Sequence, residues 1–372
     1  MKILHLSGAY VWGGNENQLV HLIKSMNGDV ENIIFCFKGS PIEKYAIEND
    51  IAYRSVLKKK TFSLKLAKEL NKIVKKDAID VIHIHTSNSV GTYMFTDFIF
   101  NLKTPTVFSK KGVSDKSSFF SSIKYNYRGI DKIICVSKLV ETSFKKVLKN
   151  KNKHKTVVIH DGVVVDDINE QEKNSSINLK KQFNIDNEKF IVGNIGNHSE
   201  AKDLKTFVRT ADYLINELNR KDVHFIQLGK ESVYTSEYKK LIELYKLEND
   251  VTFAGYMEGV KYLIPQFDIF LMTSKNEGGP VSMLESFLMK VPVVITEVGI
   301  VPEAIINGKN GFYSDVGNYK ALAENLLLLL NDEKLRDVIA SEAHDTLFQK
   351  FTMSVNANKT HDLYKKMLDE KY

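Results

Sequence analysis

Two glutamates, Glu277 and Glu285, lie eight residues apart around a glycine pair and a proline, in the order Glu277-Gly278-Gly279-Pro280-Val281-Ser-Met-Leu-Glu285. An ionised carboxylate accepts hydrogen bonds only, so two of them on one side of a cleft suit the hydroxyls of a sugar and of a ribose. Pro280 is expected in the first turn of a helix, where its missing N–H costs nothing. The amides of Gly278, Gly279 and the helix start would then face an open strand end, a ready anion or hydroxyl site. Two glutamates at a helix start serve equally well to complement the helix dipole, so the pattern alone leaves both readings open. His83 and His85, in Val-Ile-His-Ile-His, are expected on opposite faces of a strand, which argues against a metal pair. On this reading His85, at the carboxyl end, is the candidate to line a cleft, and His83 belongs to the core. No Asp-X-Asp at a strand end and no Cys/His cluster with metal-ligand spacing is evident, so no metal is expected. Cys36 and Cys135 sit inside apolar runs and read as buried reduced thiols.

The elements that would carry these residues alternate along the whole chain. Short β-branched runs at Lys2–Leu6, Asn32–Phe37, Val81–His85, Thr106–Ser109, Lys132–Val136 and Thr156–His160 are separated by helical patterns such as Glu16–Met26 and Phe62–Lys75. A polar stretch from Asp166 to Asn178 reads as a surface linker. The alternation then restarts with strands at Lys189–Ile195, Val223–Leu228, Val251–Ala254, Asp268–Met272, Val291–Ile295 and Gly311–Tyr313 and helices at Leu204–Leu218 and Tyr319–Leu330. Such a pattern predicts parallel sheets covered on both faces, in two consecutive Rossmann-like domains. The expected division is 1–165, 166–350 and a C-terminal helix over 351–372 that packs back on the first domain.

With 372 residues, the chain exceeds what one core usually supports. No apolar run reaches the roughly 20 residues of a membrane span, and the first apolar stretch is too short for a signal-peptide core, so a cytoplasmic protein is expected. The net charge of +6 conceals a cationic first half and an anionic second half. Clusters such as Lys58-Lys59-Lys60 and Lys149-Lys151-Lys153-Lys155 would attract anionic lipid or an anionic acceptor, or simply solvate the surface. No nucleic-acid-binding motif accompanies them.

The Glu277–Glu285 stretch resembles the donor-site signature of retaining GT-B glycosyltransferases, especially glycosyltransferase family 4. Further stretches resemble the same family in order: Gly13-Gly14-Asn-Glu16 with Leu19 and Leu22, Val192-Gly193 through Asn197 to Lys202-Asp203, Phe225–Gly229, Val251–Gly255, and Thr296–Glu303 with Asn310-Gly311. The resemblance implies a GT-B fold with an interdomain cleft, and transfer from a nucleotide diphosphate sugar, UDP ahead of GDP, with retention of configuration. The first domain would take the acceptor, a lipid-linked or cell-surface polysaccharide precursor. It further implies that Glu285 holds the ribose, that Glu277 with Gly278 and Gly279 holds the transferred sugar, and that Lys202 neutralises the diphosphate. Pro280 and Val281 complete that donor wall, with Gly13 and Gly14 opposite.

Two positions depart from the family. Asn197 stands where a diphosphate Arg is usual, which removes a bidentate clamp and leaves more of that duty to Lys202. Ser109-Lys110-Lys111-Gly112 stands where many relatives carry a His, so Lys110 or Lys111 becomes a candidate phosphate contact. A sugar-nucleotide epimerase and a nucleotide-sugar-binding subunit without turnover stay open as alternatives. A dinucleotide fingerprint is missing from Ser7–Gly14, which disfavours a dehydrogenase.

Overall fold

A computed structural model describes residues 1–26, 28–113, 119–165 and 177–370. The chain forms two units, Met1–Gly162 together with Met353–Tyr372, and Val163–Thr352. Nearly all of the stretch expected to be a linker lies outside the described residues.

The first unit runs β1 (Lys2–Leu6), α1 (Gly14–Ser25), β2 (Glu31–Phe37), α2 (Pro41–Glu48), β3 (Tyr53–Val56), α3 (Leu64–Lys76), β4 (Val81–Ile84), α4 (Ser87–Phe100), β5 (Thr106–Lys110), α5 (Phe119–Tyr125), β6 (Lys132–Cys135), α6 (Lys138–Val147) and β7 (Thr156–Val158). Its seven strands are all parallel, in the order β3-β2-β1-β4-β5-β6-β7. Parallel strands covered by helices on both sides must be apolar on both faces, and Ile3, Leu4, Leu6, Ile82, Ile84, Val107 and Phe108 are all buried. Several helices start where a serine can cap them: Ser40, Ser63 and Ser137 each accept the N–H three residues on.

The second unit runs α7 (Leu179–Gln182), β8 (Phe190–Ile195), α8 (Leu204–Asp212), β9 (Val223–Leu228), α9 (Thr235–Leu244), β10 (Val251–Gly255), β11 (Ile269–Met272), α10 (Val281–Leu288), β12 (Val293–Thr296), α11 (Val301–Ala304), β13 (Phe312–Ser314), α12 (Tyr319–Asn331) and α13 (Glu333–Lys350). The predicted helix over Leu204–Leu218 is α for its first part only and continues as a π turn over Tyr213–Glu217. Six parallel strands take the order β10-β9-β8-β11-β12-β13. In each sheet the order reverses beside the first strand, between β1 and β4 and between β8 and β11. Ligands of such sheets bind outside the carboxyl ends at that reversal.

The last helix, α14 (Met353–Asp369), belongs to the first unit. Tyr364 and Met367 bury against Ile3, Val81, Val107 and Ile134. A phenol in that apolar setting needs a partner, and the Tyr364 hydroxyl lies 2.6 Å from Nδ1 of His83.

Candidate functional site

In the second unit, β11 ends at Met272 and its chain runs through Thr273–Pro280 into α10. Hydrogen bonds lace this corner to two neighbouring loops. The Thr273 hydroxyl donates to the carbonyls of Lys202 and Asp203, the Lys275 N–H donates to the Ala201 carbonyl, and the Thr296 hydroxyl donates to the Ser274 carbonyl at 2.6 Å. Thr273, Ser274 and Thr296 are fully buried, so the bonds made by the two threonine hydroxyls lie in a dry setting where an unmade one would be costly. The β8–α8 loop is thereby fixed against the β11–α10 corner.

That lacing puts a cation against a carboxylate. Lys202 Nζ lies 2.6 Å from Glu277 Oε1, and the Ser274 hydroxyl donates to the same oxygen at 3.1 Å. Lys202 and Glu277 are far apart in sequence, and tertiary structure alone joins them. Beside Glu277, the backbone N–H groups of Gly278, Gly279 and Val281 have no acceptor among the described residues. Pro280 occupies the cap position before α10 rather than its first turn, one residue from the expectation. Its lack of an N–H is harmless at either position.

Two glycines shape the corner. Gly299, at φ +56°, lies against its backbone, so that a Cβ there would fall 2.5 Å from the Gly278 carbonyl oxygen. Gly229 lies against the β8–α8 loop, where a Cβ would fall 2.0 Å from the Gly196 oxygen. Both record close backbone approach that no other residue permits.

Glu285 is on α10, partly buried. Burial raises its carboxyl pKa, and the charge of Lys261 pulls it back down. Lys261 has no signature in the sequence, since it comes from the 3-10 helix Val260–Gln266, on the far side of β11 in the chain. Asn197 is exposed, and its side-chain oxygen accepts the Lys230 N–H at 2.9 Å, so it closes its own loop. Asp203, where the family often has glycine, sits at φ +44° and accepts from the Thr206 hydroxyl at 2.7 Å. Asn310, in another of the matching stretches, is a buried loop brace bonded to Ile306, Ala304 and Thr346.

In the first unit, Gly13 caps α1 and Gly14 begins it. The Glu16 carboxylate turns back into this loop. Burial raises its pKa, and hydrogen bonds from the backbone of Glu16 and Gly13 and from Ser7 oppose that rise.

The histidine geometry corrects the expectation from sequence. His83 and His85 point to the same face, because side chains two apart on a strand share a face, and their ring centroids are 3.9 Å apart. His5, which sequence reasoning missed, pairs in register with His83 and joins them from β1. Candidate ligand nitrogens of the three rings lie within 4.8 Å of one another, close enough to hold a metal ion. Several of those nitrogens already have partners: His5 Nε2 bonds to Asn32 Oδ1, His5 Nδ1 to His85 Nε2, and His83 to Tyr364 and Ser109. Burial holds all three rings well below the usual imidazole range, His5 at about 4. The space beside His83 and His85, about 10 Å³, is scarcely enough for one water. Alternation also separates the two lysines. Lys110 Nζ lies 5.6 Å over the Phe144 ring, whereas Lys111 pairs with the buried Asp161 beside His83 and His85. Both cysteines are buried and free, with thiols pushed up to about 12 by burial.

Residues 12–167 match the family described as Glycosyltransferase Family 4, and residues 175–346 match Glycosyl transferases group 1. Among curated relatives, N-acetyl-alpha-D-glucosaminyl L-malate synthase of Bacillus anthracis is 23% identical over 86% of this chain and 83% of its own. Poly(ribitol-phosphate) alpha-N-acetylglucosaminyltransferase of Staphylococcus aureus is 26% identical over 67% of this chain and 48% of its own. The fold is similar to that of Anabaena Alr3699/HepE, solved with UDP and glucose, with a TM-score of 0.82 and 22% identity over 98% of this chain and 100% of that one.

Proposed function

The chain belongs to the GT-B glycosyltransferases of the family 4 type, and from that premise we propose that it transfers a sugar from a nucleotide diphosphate donor to an acceptor hydroxyl with retention of anomeric configuration. The observation that carries this reading is the Lys202–Glu277 pair at 2.6 Å beside the unpartnered amides of Gly278, Gly279 and Val281. Lys202 and the amides suit a diphosphate whose negative charge grows as the glycosidic bond breaks. Glu277 accepts from hydroxyls of the transferred sugar, and Glu285 from those of the ribose.

In the proposed step the bond from the anomeric carbon to the diphosphate oxygen breaks, and a bond to the acceptor oxygen forms on the same face. The acceptor's proton passes to the departing phosphate oxygen. Lys202 and the amides balance the diphosphate in this scheme without a metal ion. A UDP-sugar is favoured over a GDP-sugar; the Anabaena protein was solved with UDP. The acceptor is a lipid-linked or cell-surface polysaccharide precursor. Relatives named for poly(ribitol-phosphate) and for a diphospho-undecaprenol acceptor support that class. No helix of the described residues is long and apolar enough to cross a membrane. In this reading a lipid-linked acceptor is met at the inner face, through the basic first unit.

The test is to incubate the protein with a panel of nucleotide sugars and follow release of nucleotide diphosphate. The wild type is expected to release it slowly without acceptor, and Glu277→Ala is expected to lose most of that release. Release by Glu277→Ala at the wild-type rate would overturn the assignment.

A further inference from the structure

A pocket lies in the first unit, at the carboxyl ends of β1, β2 and β3 and over the start of α4. It encloses about 530 Å³, within the range of small-ligand sites. Its wall is cationic: Lys58 and Lys59 line it, and no carboxylate does among the described residues. Neither ammonium forms an ion pair among the described residues. Lys58 is nonetheless held in place. Its Nζ sits 4.0 Å over the centre of the Tyr10 ring, and Tyr10 stacks on Phe37 at 5.5 Å. A cation on an aromatic face keeps its N–H groups free for an anion, and the stack limits the entropy lost when one binds. Asn88 and the Ser89 hydroxyl add neutral polar groups on the α4 side.

We propose that this pocket binds a phosphate group carried by the acceptor, with Lys58 and Lys59 as its cationic partners and the Asn88 side as the wall for the adjoining sugar. The assignment rests on the glycosyltransferase reading, since it names the acceptor class for that reaction. Two ammonium groups with no opposing carboxylate select for an anion, and a strongly charged one gains most from both. The phosphate would come either from a lipid-linked sugar or from a water-soluble phosphorylated glycan.

The protein carries its own reporter. Its single tryptophan, Trp12, follows the pocket residues Gly8–Val11 directly, packed 5.0 Å from the Tyr45 ring. Trp12 emission should be titrated with glucose 1-phosphate, farnesyl phosphate and glucose, each with UDP present in excess to fill the donor site. Saturable change is expected with at least one phosphate and not with glucose; which phosphate binds more tightly identifies a lipid or a soluble source. Lys58→Ala/Lys59→Ala should weaken that binding by about tenfold or more, the worth of one charge-assisted hydrogen bond, and Lys58→Arg/Lys59→Arg should restore most of it. Both lysines are exposed, so UDP binding, followed by thermal shift, should be unchanged in either variant. Equal binding of glucose, no binding of either phosphate, or wild-type affinity in the double alanine variant would overturn the proposal. If UDP binds while both phosphates fail, only the acceptor class falls. If UDP itself fails to bind, the transferase reading falls first.

Discussion

Lys202→Ala separates a charge kept for catalysis from one kept for stability. At 2.6 Å from Glu277, a gross attraction of about 6 kcal/mol follows at an effective dielectric constant near 20. Little of that survives as folding stability. The two side chains are 24% and 18% exposed, both ions give up solvation to pair, and Ser274 still bonds the Glu277 carboxylate when the lysine is gone. The net cost should stay near 1 kcal/mol, a fall of about 2–4 °C in the melting temperature of a domain this size. If Lys202 faces the departing diphosphate, the loss falls on the transition state instead. Removing one such preorganised group costs about 2.7–4 kcal/mol, or a hundred- to a thousandfold in kcat. Steady-state transfer measured with the preferred nucleotide sugar, beside a calorimetric melt, reads both quantities from one preparation. A kcat within threefold of wild type, or a melting temperature lowered enough to explain the lost activity, would refute the reasoning.

Other outcomes follow from the same geometry. Glu285→Gln should weaken UDP binding at neutral pH, and wild-type affinity should itself fall as pH drops through the raised Glu285 pKa; isothermal titration at several pH values reads both. Because that folded-state pKa lies above the unfolded value, wild-type stability relative to Glu285→Gln should decline as pH rises through it, and a flat difference would contradict the burial argument. His5 titrates at about 4 in the folded protein and near 6.5 unfolded, so stability should fall as pH drops across that window, by about 3 kcal/mol from this ring alone. Urea melts of wild type and His5→Gln across that range should show the variant's smaller slope. Gly299→Ala must place a Cβ 2.5 Å from the Gly278 oxygen at a positive φ, so it should cost about 1–2 kcal/mol in denaturant melts and lower transfer activity further by moving the amides beside Glu277.

Much of this protein was legible in its amino-acid order. The alternation of β-branched runs with amphipathic segments determined two parallel α/β units, because a strand buried on both faces has to be apolar throughout. The spacing Glu277-Gly278-Gly279-Pro280 through Glu285 determined a strand-to-helix corner with unpartnered amides, since glycine and proline act within a few residues of themselves. Helix α2, strand β3 and helix α4 escaped notice, their patterns being short or not amphipathic. The histidines show the limit more sharply. His5 and His83 meet only because β1 and β4 are adjacent in the sheet and in register, and strand order is set by crossover connections that leave no mark at either residue. The pairing of Lys202 with Glu277, the reach of Lys261 toward Glu285, and the stacking of Lys58 on Tyr10 are likewise decided by the tertiary structure. Each depends on segments that follow separate strands coming together in the fold, where distance in space has no fixed relation to distance along the chain.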